Sequence, residues 1–315
     1  MTKVSIIVPY YKEDKILQEC KKSVKMQTYK NIEFLLISEK ELGIKERKGA
    51  GFMRNRAAER AKGEILFFLD ADAVMKKNCI EELVKCFKEN KVDAVSCLPI
   101  TPPLKQTDLL NYLLGLSYEE VIRNMKEGLV DVAATTGFGI KKDVFIKCGG
   151  FIEDFKGGIG EDWYLTAEMI KRGYKIWHSN KVQIYHYTAG SLRGYLKKQF
   201  YHAWYRIYHY KKFNKVTDSY TKLYMIAQSF LWMFIFISPF WSYLLYRLSL
   251  PYYFHIILLS LLLIFFWDLP QVLRFLNKIK NPKILLFLPL SFIRSFVRTV
   301  AIIKGFWDFY IKRKI

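Results

Sequence analysis

Between Lys222 and Asp268 the chain carries a single charged side chain, Arg247, and one histidine, His255. The stretch divides into "LYMIAQSFLWMFIFISPFWSYLLY" (residues 223–246) and "LSLPYYFHIILLSLLLIFFW" (residues 248–267). A helix rises 1.5 Å per residue, so roughly 20 apolar residues cross the ~30 Å hydrocarbon core of a bilayer. Two such runs back to back predict a transmembrane hairpin over residues 219–268, with Arg247 near its tip. A buried helix pair in a soluble protein is the competing reading, and uncharged runs of this length rarely serve as soluble cores. "ILLFLPLSFIRSFVRTVAIIKGFW" (residues 284–307) differs, because Arg294 and Arg298 lie four apart on one helical face. Residues 269–315 therefore read as a basic loop and an amphipathic helix in the interface, or as a third span.

The remainder has another character. Residues 1–218 alternate short apolar strands with amphipathic helices, the pattern of an open, largely parallel α/β sheet flanked by helices. "VSIIVPYY", "IEFLLIS", "EILFFLDAD" and "VDAVSCL" read as strands. "KILQECKKSVKMQ", "AGFMRNRAAERAKG" (stopped by Gly63) and "CIEELVKCFKEN" read as helices. The opening "MTKVSIIVPYYKEDK" has too short an apolar run for a signal peptide. The five cysteines form no CxxC pair and are odd in number, which argues for a reducing compartment rather than a disulfide framework or zinc site. A net charge of +21 implies an anionic partner. Residues 189–222 hold eight Lys or Arg against one acid, interleaved with aromatic side chains. Directly before a membrane hairpin this favours an interfacial helix on anionic lipid headgroups over single-stranded nucleic acid.

Ligands of open α/β sheets bind beyond the carboxyl ends of the strands. Pro9-Tyr10-Tyr11, Ser38-Glu39 and Asp70-Ala71-Asp72 all fall there. Two carboxylates two apart, leaving a strand, can grip Mg²⁺ or Mn²⁺, which take oxygen ligands and bridge to phosphates. An aspartate capping the next helix is the plain alternative. Further on, a small-residue stretch (Thr135 to Gly139) precedes a short helix. A glycine-rich loop, Gly157 to Gly160, then delivers Glu161-Asp162 to a helix start, where a carboxylate can serve as a base or simply as a cap.

"VSIIVPYYKED", "QTYKNIEFLLIS", "RNRAAERAKGEILFFLDAD", "GGFIEDF" and "GEDWYLTAEMIKRGYKI" come in the order and spacing of the family-two glycosyltransferases. The chain resembles that family over about residues 3–210. The resemblance implies a GT-A fold, a nucleotide-sugar donor, a Mg²⁺ or Mn²⁺ cofactor and inversion at the anomeric carbon. By it, Pro9, Tyr11 and Glu13 line the nucleotide pocket, and Arg54 is the basic residue near the donor. Asp70 and Asp72 form the DxD pair, with Asp72 the direct metal ligand, and Asp162 is the catalytic base. Glu161, Trp163, His186, Gln199 and Trp204 fall at the acceptor or its loop. Three features depart from family patterns. "LISEKELG" replaces the aspartate stretch that contacts the base, leaving Glu39 or Glu41 as substitutes. "QFYHAW" keeps Gln199 and Trp204 of a polymerase motif at the wrong spacing. Ala73-Val74 replaces the leucine-glutamine pair of dolichyl-phosphate sugar synthases.

Two other classes compete. "LFFLDADAV" fits a haloacid-dehalogenase-like phosphatase with Asp70 as nucleophile, but two strand–helix units precede it. A non-catalytic membrane scaffold on a transferase fold is the other. The expectation is a multi-pass membrane enzyme with its catalytic region in the cytoplasm and a membrane-bound acceptor, lipid-linked or glycan, without nucleic acid.

Overall fold

The computed structural model describes the chain apart from residues 47, 154–158, 188–189, 215–218, 220–222, 239, 241–242, 244–252 and 313–315. The chain divides into two compact units, Met1–Gly190 with Asp218–Tyr220, and Ser191–Thr217 with Thr221–Ile315.

The first unit is built on an eight-stranded sheet in the order β2-β1-β3-β7-β5-β8-β4, with β6 pairing β8. β1 (Val4–Pro9) and β3 (Ile65–Leu69) are buried along their whole length. Such continuous apolar runs are what a strand covered on both faces requires. β2 (Ile32–Ile37) is half-buried, as suits the outer strand. β1 pairs both neighbours in parallel, with Pro9 opposite Ile37 and Ile7 opposite Phe68, so three carboxyl ends share one edge. α1 (Lys15–Lys25) begins where the Asp14 carboxylate accepts from Leu17 N at 2.9 Å. α1 and α3 (Cys79–Asn90) cover one face of the sheet through Leu17, Cys20, Ile80 and Leu83. α2 (Ala50–Arg60), α5 (Lys142–Lys147) and α6 (Glu161–Lys171) cover the other through Met53, Ala57, Val144, Leu165 and Met169.

The sheet is mixed rather than mostly parallel. β7 (Gly137–Lys141) inserts antiparallel to both β3 and β5 (Ala94–Ile100), and β8 (Ile176–His186) binds β5 in parallel but β4 (Ala73–Met75) and β6 (Gly128–Val130) antiparallel. The stretch from Thr135 to Gly139 hides a strand because neighbouring side chains occupy the space its own would need. A Cβ at Gly139 would meet Leu83 Cδ1 at 2.8 Å, and one at Gly137 would meet Ile184 Cδ1 at 2.9 Å. Gly63 likewise does not end α2, which stops at an extended Ala61. Its amide donates to Ser5 Oγ at 2.8 Å, and a Cβ there would lie 2.5 Å from Ser5 N. α4 (Leu109–Arg123) completes the unit; its Glu119 accepts from Thr101 N at 2.7 Å.

The second unit is helical: α7 (Leu192–Phe213), α8 (Leu223–Phe236), α9 (Tyr253–Phe265), α10 (Leu269–Ile279) and α11 (Phe287–Phe306). Residues 189–218 are expected to form a basic, aromatic helix at the membrane interface. The polar contacts of α7, which makes up most of that stretch, run to α11 and the turn after it. Arg298 Nε donates to Gln199 Oε1 at 2.8 Å, and Trp204 Nε1 to Asp308 Oδ2 at 3.2 Å. Gly305 permits this approach, since a Cβ there would already lie 3.0 Å from Trp204 O. α8 joins through Trp232 Nε1, which donates to Ser295 Oγ at 2.9 Å. Arg294 pairs with Asp268 at 2.7 Å and donates to Ser291 Oγ at 2.8 Å.

Polar groups thus lie inside this unit, while Phe230, Phe234, Leu259, Leu263, Ile293, Phe296 and Ile303 are exposed. That apolar outer surface suits a bundle surrounded by lipid. Among the described residues, 257–279 and 282–311 are long and apolar enough to cross a membrane. The expected hairpin falls partly outside the described residues, including Arg247 and its tip. The stretch 284–307 has the length of a span as well as the stripe of an interfacial helix. Its arginines turn inward onto Asp268 and Gln199, which reduces the cost of placing them at membrane depth.

Candidate active site

The edge formed by the carboxyl ends of β1, β2 and β3 carries the expected carboxylates. Asp70 leaves β3 with its amide directed to Thr136 O at 3.4 Å, and Tyr187 N donates to Asp72 O at 2.9 Å. The short β4 that follows pairs Ala73 with His186 of β8, which brings the histidine to the DxD turn. His186 Nε2 lies 3.4 Å from Asp72 Oδ1. One ligand atom from each of Asp70, Asp72 and His186 falls within 4.8 Å of the others, all three half-buried. Two carboxylate oxygens and an imidazole nitrogen are a donor set that fits Mn²⁺ or Mg²⁺. Tyr118 of α4 stacks edge-on against the His186 ring at 5.7 Å. Nothing in the spacing of the sequence points to that tyrosine, which approaches from 68 residues away in the chain.

Arg54 is the hub. Its side chain is 4% exposed; one terminal nitrogen donates to Asp70 Oδ1 at 2.5 Å and the other to Glu161 Oε1 at 2.9 Å. Its guanidinium also lies 5.4 Å from the centre of the Phe151 ring. The next residue, Asn55, grips the turn that contains Gly149 and Gly150. Its amide nitrogen donates to Phe151 O at 2.8 Å and its oxygen accepts from Phe151 N at 2.9 Å. Gly150 must be glycine there: φ is +69°, and a Cβ would lie 2.8 Å from Asn55 Oδ1.

Glu161 and Asp162 form the first turn of α6, after Gly160 in the left-handed region (φ 93°). Asp162 accepts from Trp163 N at 2.8 Å. Desolvation, and then the negative charge of Glu161, push its carboxyl up to about 7, against the milder pull of the Trp163 amide, then of Arg54 and the backbone of Thr135. A carboxylate poised near neutrality is what a general base needs. Part of the glycine-rich loop, Gly157 and Gly158, lies outside the described residues.

The other expected residues sit as follows. Pro9 is buried at the end of β1, and Tyr11 is exposed just beyond it. Glu13 is exposed and pairs with Lys21 at 2.8 Å. Glu39 Oε1 accepts from Lys48 N at 2.7 Å and Gly49 N at 3.1 Å, so this carboxylate anchors the entry to α2. Glu41 accepts from Ser38 N at 2.9 Å. Trp163 is half-buried on α6. Gln199 and Trp204 lie in the second unit, bonded to Arg298 and Asp308.

Residues 44–149 match the family model for glycosyl transferase family 2. The matched segment is about a third of the chain and resembles the family 2 glycosyltransferases. Glycosyltransferase GlyG of Streptococcus pneumoniae is 30% identical over 29% of this chain and 37% of its own length. Glycosyltransferase AglE of Haloferax volcanii is 27% identical over 62% of this chain and 70% of its own. The chain spans about a third of the length of GlyG and of a second pneumococcal relative, GlyA (37% and 33%). The solved mannosyltransferase PcManGT from Pyrobaculum calidifontis, in complex with GDP-Man and Mn²⁺, superposes with a TM-score of 0.57 at 18% identity, over 98% of this chain and 88% of that one. The fold of this chain is GT-A-like, a curled mixed sheet flanked by helices, and apolar helices follow it in the chain.

Proposed function

We propose that the protein is a membrane-anchored, inverting, metal-dependent glycosyltransferase that moves a sugar from a nucleotide-sugar to a membrane-associated acceptor. The observation that carries this reading is the Asp70–Arg54–Glu161 chain, which ties a metal-capable Asp70/Asp72/His186 cluster to the helix turn bearing Asp162. Asp72, with Asp70 and His186, would hold Mn²⁺ or Mg²⁺. Such an ion supplies charge neutralisation for a diphosphate leaving group. Asp162 takes the proton of the acceptor hydroxyl. That oxygen attacks the anomeric carbon from the face opposite the diphosphate, the bond to the diphosphate breaks, and configuration inverts. The phosphatase alternative would make Asp70 a nucleophile. Arg54 already donates to one of its oxygens, and the family match favours transfer.

The test is a panel of nucleotide-sugars with Mn²⁺, read as melting temperature and as nucleoside diphosphate release. A donor at a hundred times its dissociation constant is expected to add about 2.7 kcal/mol to native stability. Phosphate release from phosphoesters, or no binding by any donor, refutes the proposal.

Membrane placement follows from charge. Residues 189–222 carry eight Lys or Arg and residues 268–283 carry four, while the stretch between the apolar runs has only Arg247. The positive-inside rule keeps both basic flanks cytoplasmic, where nucleotide-sugars are made. The five native cysteines are buried, so introduced ones report against a low background. On intact cells an impermeant thiol reagent is expected to label Ser249→Cys and to spare Ile315→Cys. Labelling at 315 means that 282–311 crosses the bilayer.

A further inference from the structure

Arg54 and Glu161 form a buried pair whose location asks for an explanation beyond stability. Both side chains are 4% exposed. Glu161 uses only Oε1; its Oε2 is buried and has no hydrogen-bond partner among the described residues. Arg54 Nε is also without one. A buried ion pair with polar atoms left over is no more stable than a well-packed apolar pair of similar volume. Packing alone therefore gives no reason for these residue types here.

The geometry gives one. The guanidinium is a rigid planar fork, and its two terminal nitrogens serve Asp70 and Glu161 separately. Asp70 belongs to the metal-capable turn after β3. Glu161 is the first residue of α6, directly before Asp162, and its stem packs on α2, where a Cβ at Gly51 would meet Glu161 Cγ at 3.4 Å. One flat group thus fixes two chain segments 91 residues apart in sequence.

We infer that Glu161 is a positioning residue, acting through Arg54 to hold the Asp162 carboxylate in register with the Asp70/Asp72/His186 cluster. This rests on the transferase reading above and reassigns Glu161 from the acceptor loop to the support of the base. Displacement of a reacting group by about 1 Å costs on the order of 100-fold in rate. Removing Glu161 is expected to have an effect of that size on turnover and little effect on donor binding.

The experiment uses the full chain in detergent with Mn²⁺ and the donor found by the panel. Glu161→Ala is expected to lower kcat about 30- to 100-fold, with the donor dissociation constant within about threefold of the parent's, because the Glu161 carboxylate is buried behind Arg54, which keeps its bond to Asp70. Glu161→Gln keeps an oxygen facing the guanidinium and is expected to recover most of the loss. The decisive arm places Glu161→Ala in an Asp162→Asn background, where a residue acting only through Asp162 adds no further loss. Multiplicative losses in the double variant overturn the inference. So does unchanged turnover in Glu161→Ala, or a parallel fall in melting temperature, donor affinity and kcat that Glu161→Gln does not relieve. Failure of the parent protein to bind or transfer any donor overturns the transferase reading and the inference with it. Transfer by the parent with an indifferent Glu161 overturns the inference alone.

Discussion

Exchanging Asp72 for asparagine is expected to lower metal-dependent transfer about a thousandfold and to leave the melting temperature near that of the parent. The two carboxylates of the DxD turn are unequal. Asp70 has one oxygen on Arg54 at 2.5 Å, so its negative charge is already partly answered by the protein. Asp72 faces the His186 ring at 3.4 Å. Losing its charge leaves a neutral amide oxygen where a hard anionic ligand stood, without stranding a buried cation. Asp70→Asn, by contrast, weakens the Arg54 pair and is expected to reduce stability as well as rate, since the buried guanidinium then has one carboxylate partner, Glu161, in place of two. Initial rates of nucleoside diphosphate release against Mn²⁺ concentration, with melting curves alongside, check both. Full transfer by the Asp72 variant, or by the parent protein in EDTA, contradicts the metal assignment.

The second large effect belongs to Asp162. Its replacement by asparagine is expected to cost about 10²–10⁴ in turnover, the usual contribution of a general base, with donor affinity nearly unchanged. The pH dependence has a definite sign. The base works in its ionised form, and desolvation followed by the Glu161 charge raises its carboxyl to about 7. Turnover should therefore climb as pH rises through about 7 and level off above it. In the asparagine variant that rise should vanish. Stability runs the other way. Between the ordinary aspartate value of 3.8 and about 7 the folded chain holds a proton that the unfolded chain releases. This contribution is fully present below the lower value and is lost as pH rises through the upper one. Metal-free melting temperatures should show a slope of that sign, and Asp162→Asn should reduce it. If the acceptor is a phosphate, ionised at neutral pH, no base is needed and the kinetic effect shrinks to little. Unchanged turnover with a hydroxyl acceptor removes Asp162 from its role.

Much of the site could be read from the chain because apolar runs locate strand ends. Ile65–Leu69 is buried throughout, and the carboxylates that follow have to emerge at an edge. What could not be read depends on partners distant in sequence. The family resemblance sets Arg54 near the donor, but only the fold brings Asp70 and Glu161 to its two terminal nitrogens. Antiparallel β7 was hidden because glycines carry no apolar periodicity, although their use here is to admit Leu83 and Ile184. Glu39 sits where a base-contacting acid was expected, yet two backbone amides engage one of its oxygens. In the second unit, the four-residue spacing of Arg294 and Arg298 placed them on one face but left open whether that face meets water or protein. Asp268 and Gln199 answer that question.

The consecutive residues Arg54 and Asn55 have a consequence for how such an enzyme diversifies. Asn55 holds the backbone of Phe151, and Arg54 holds Glu161. Both ends of the intervening nine-residue stretch, 152–160, are therefore moored to a single turn of α2. Its composition and length can drift, or be exchanged by an engineer, while the mooring keeps the carboxylates where they are.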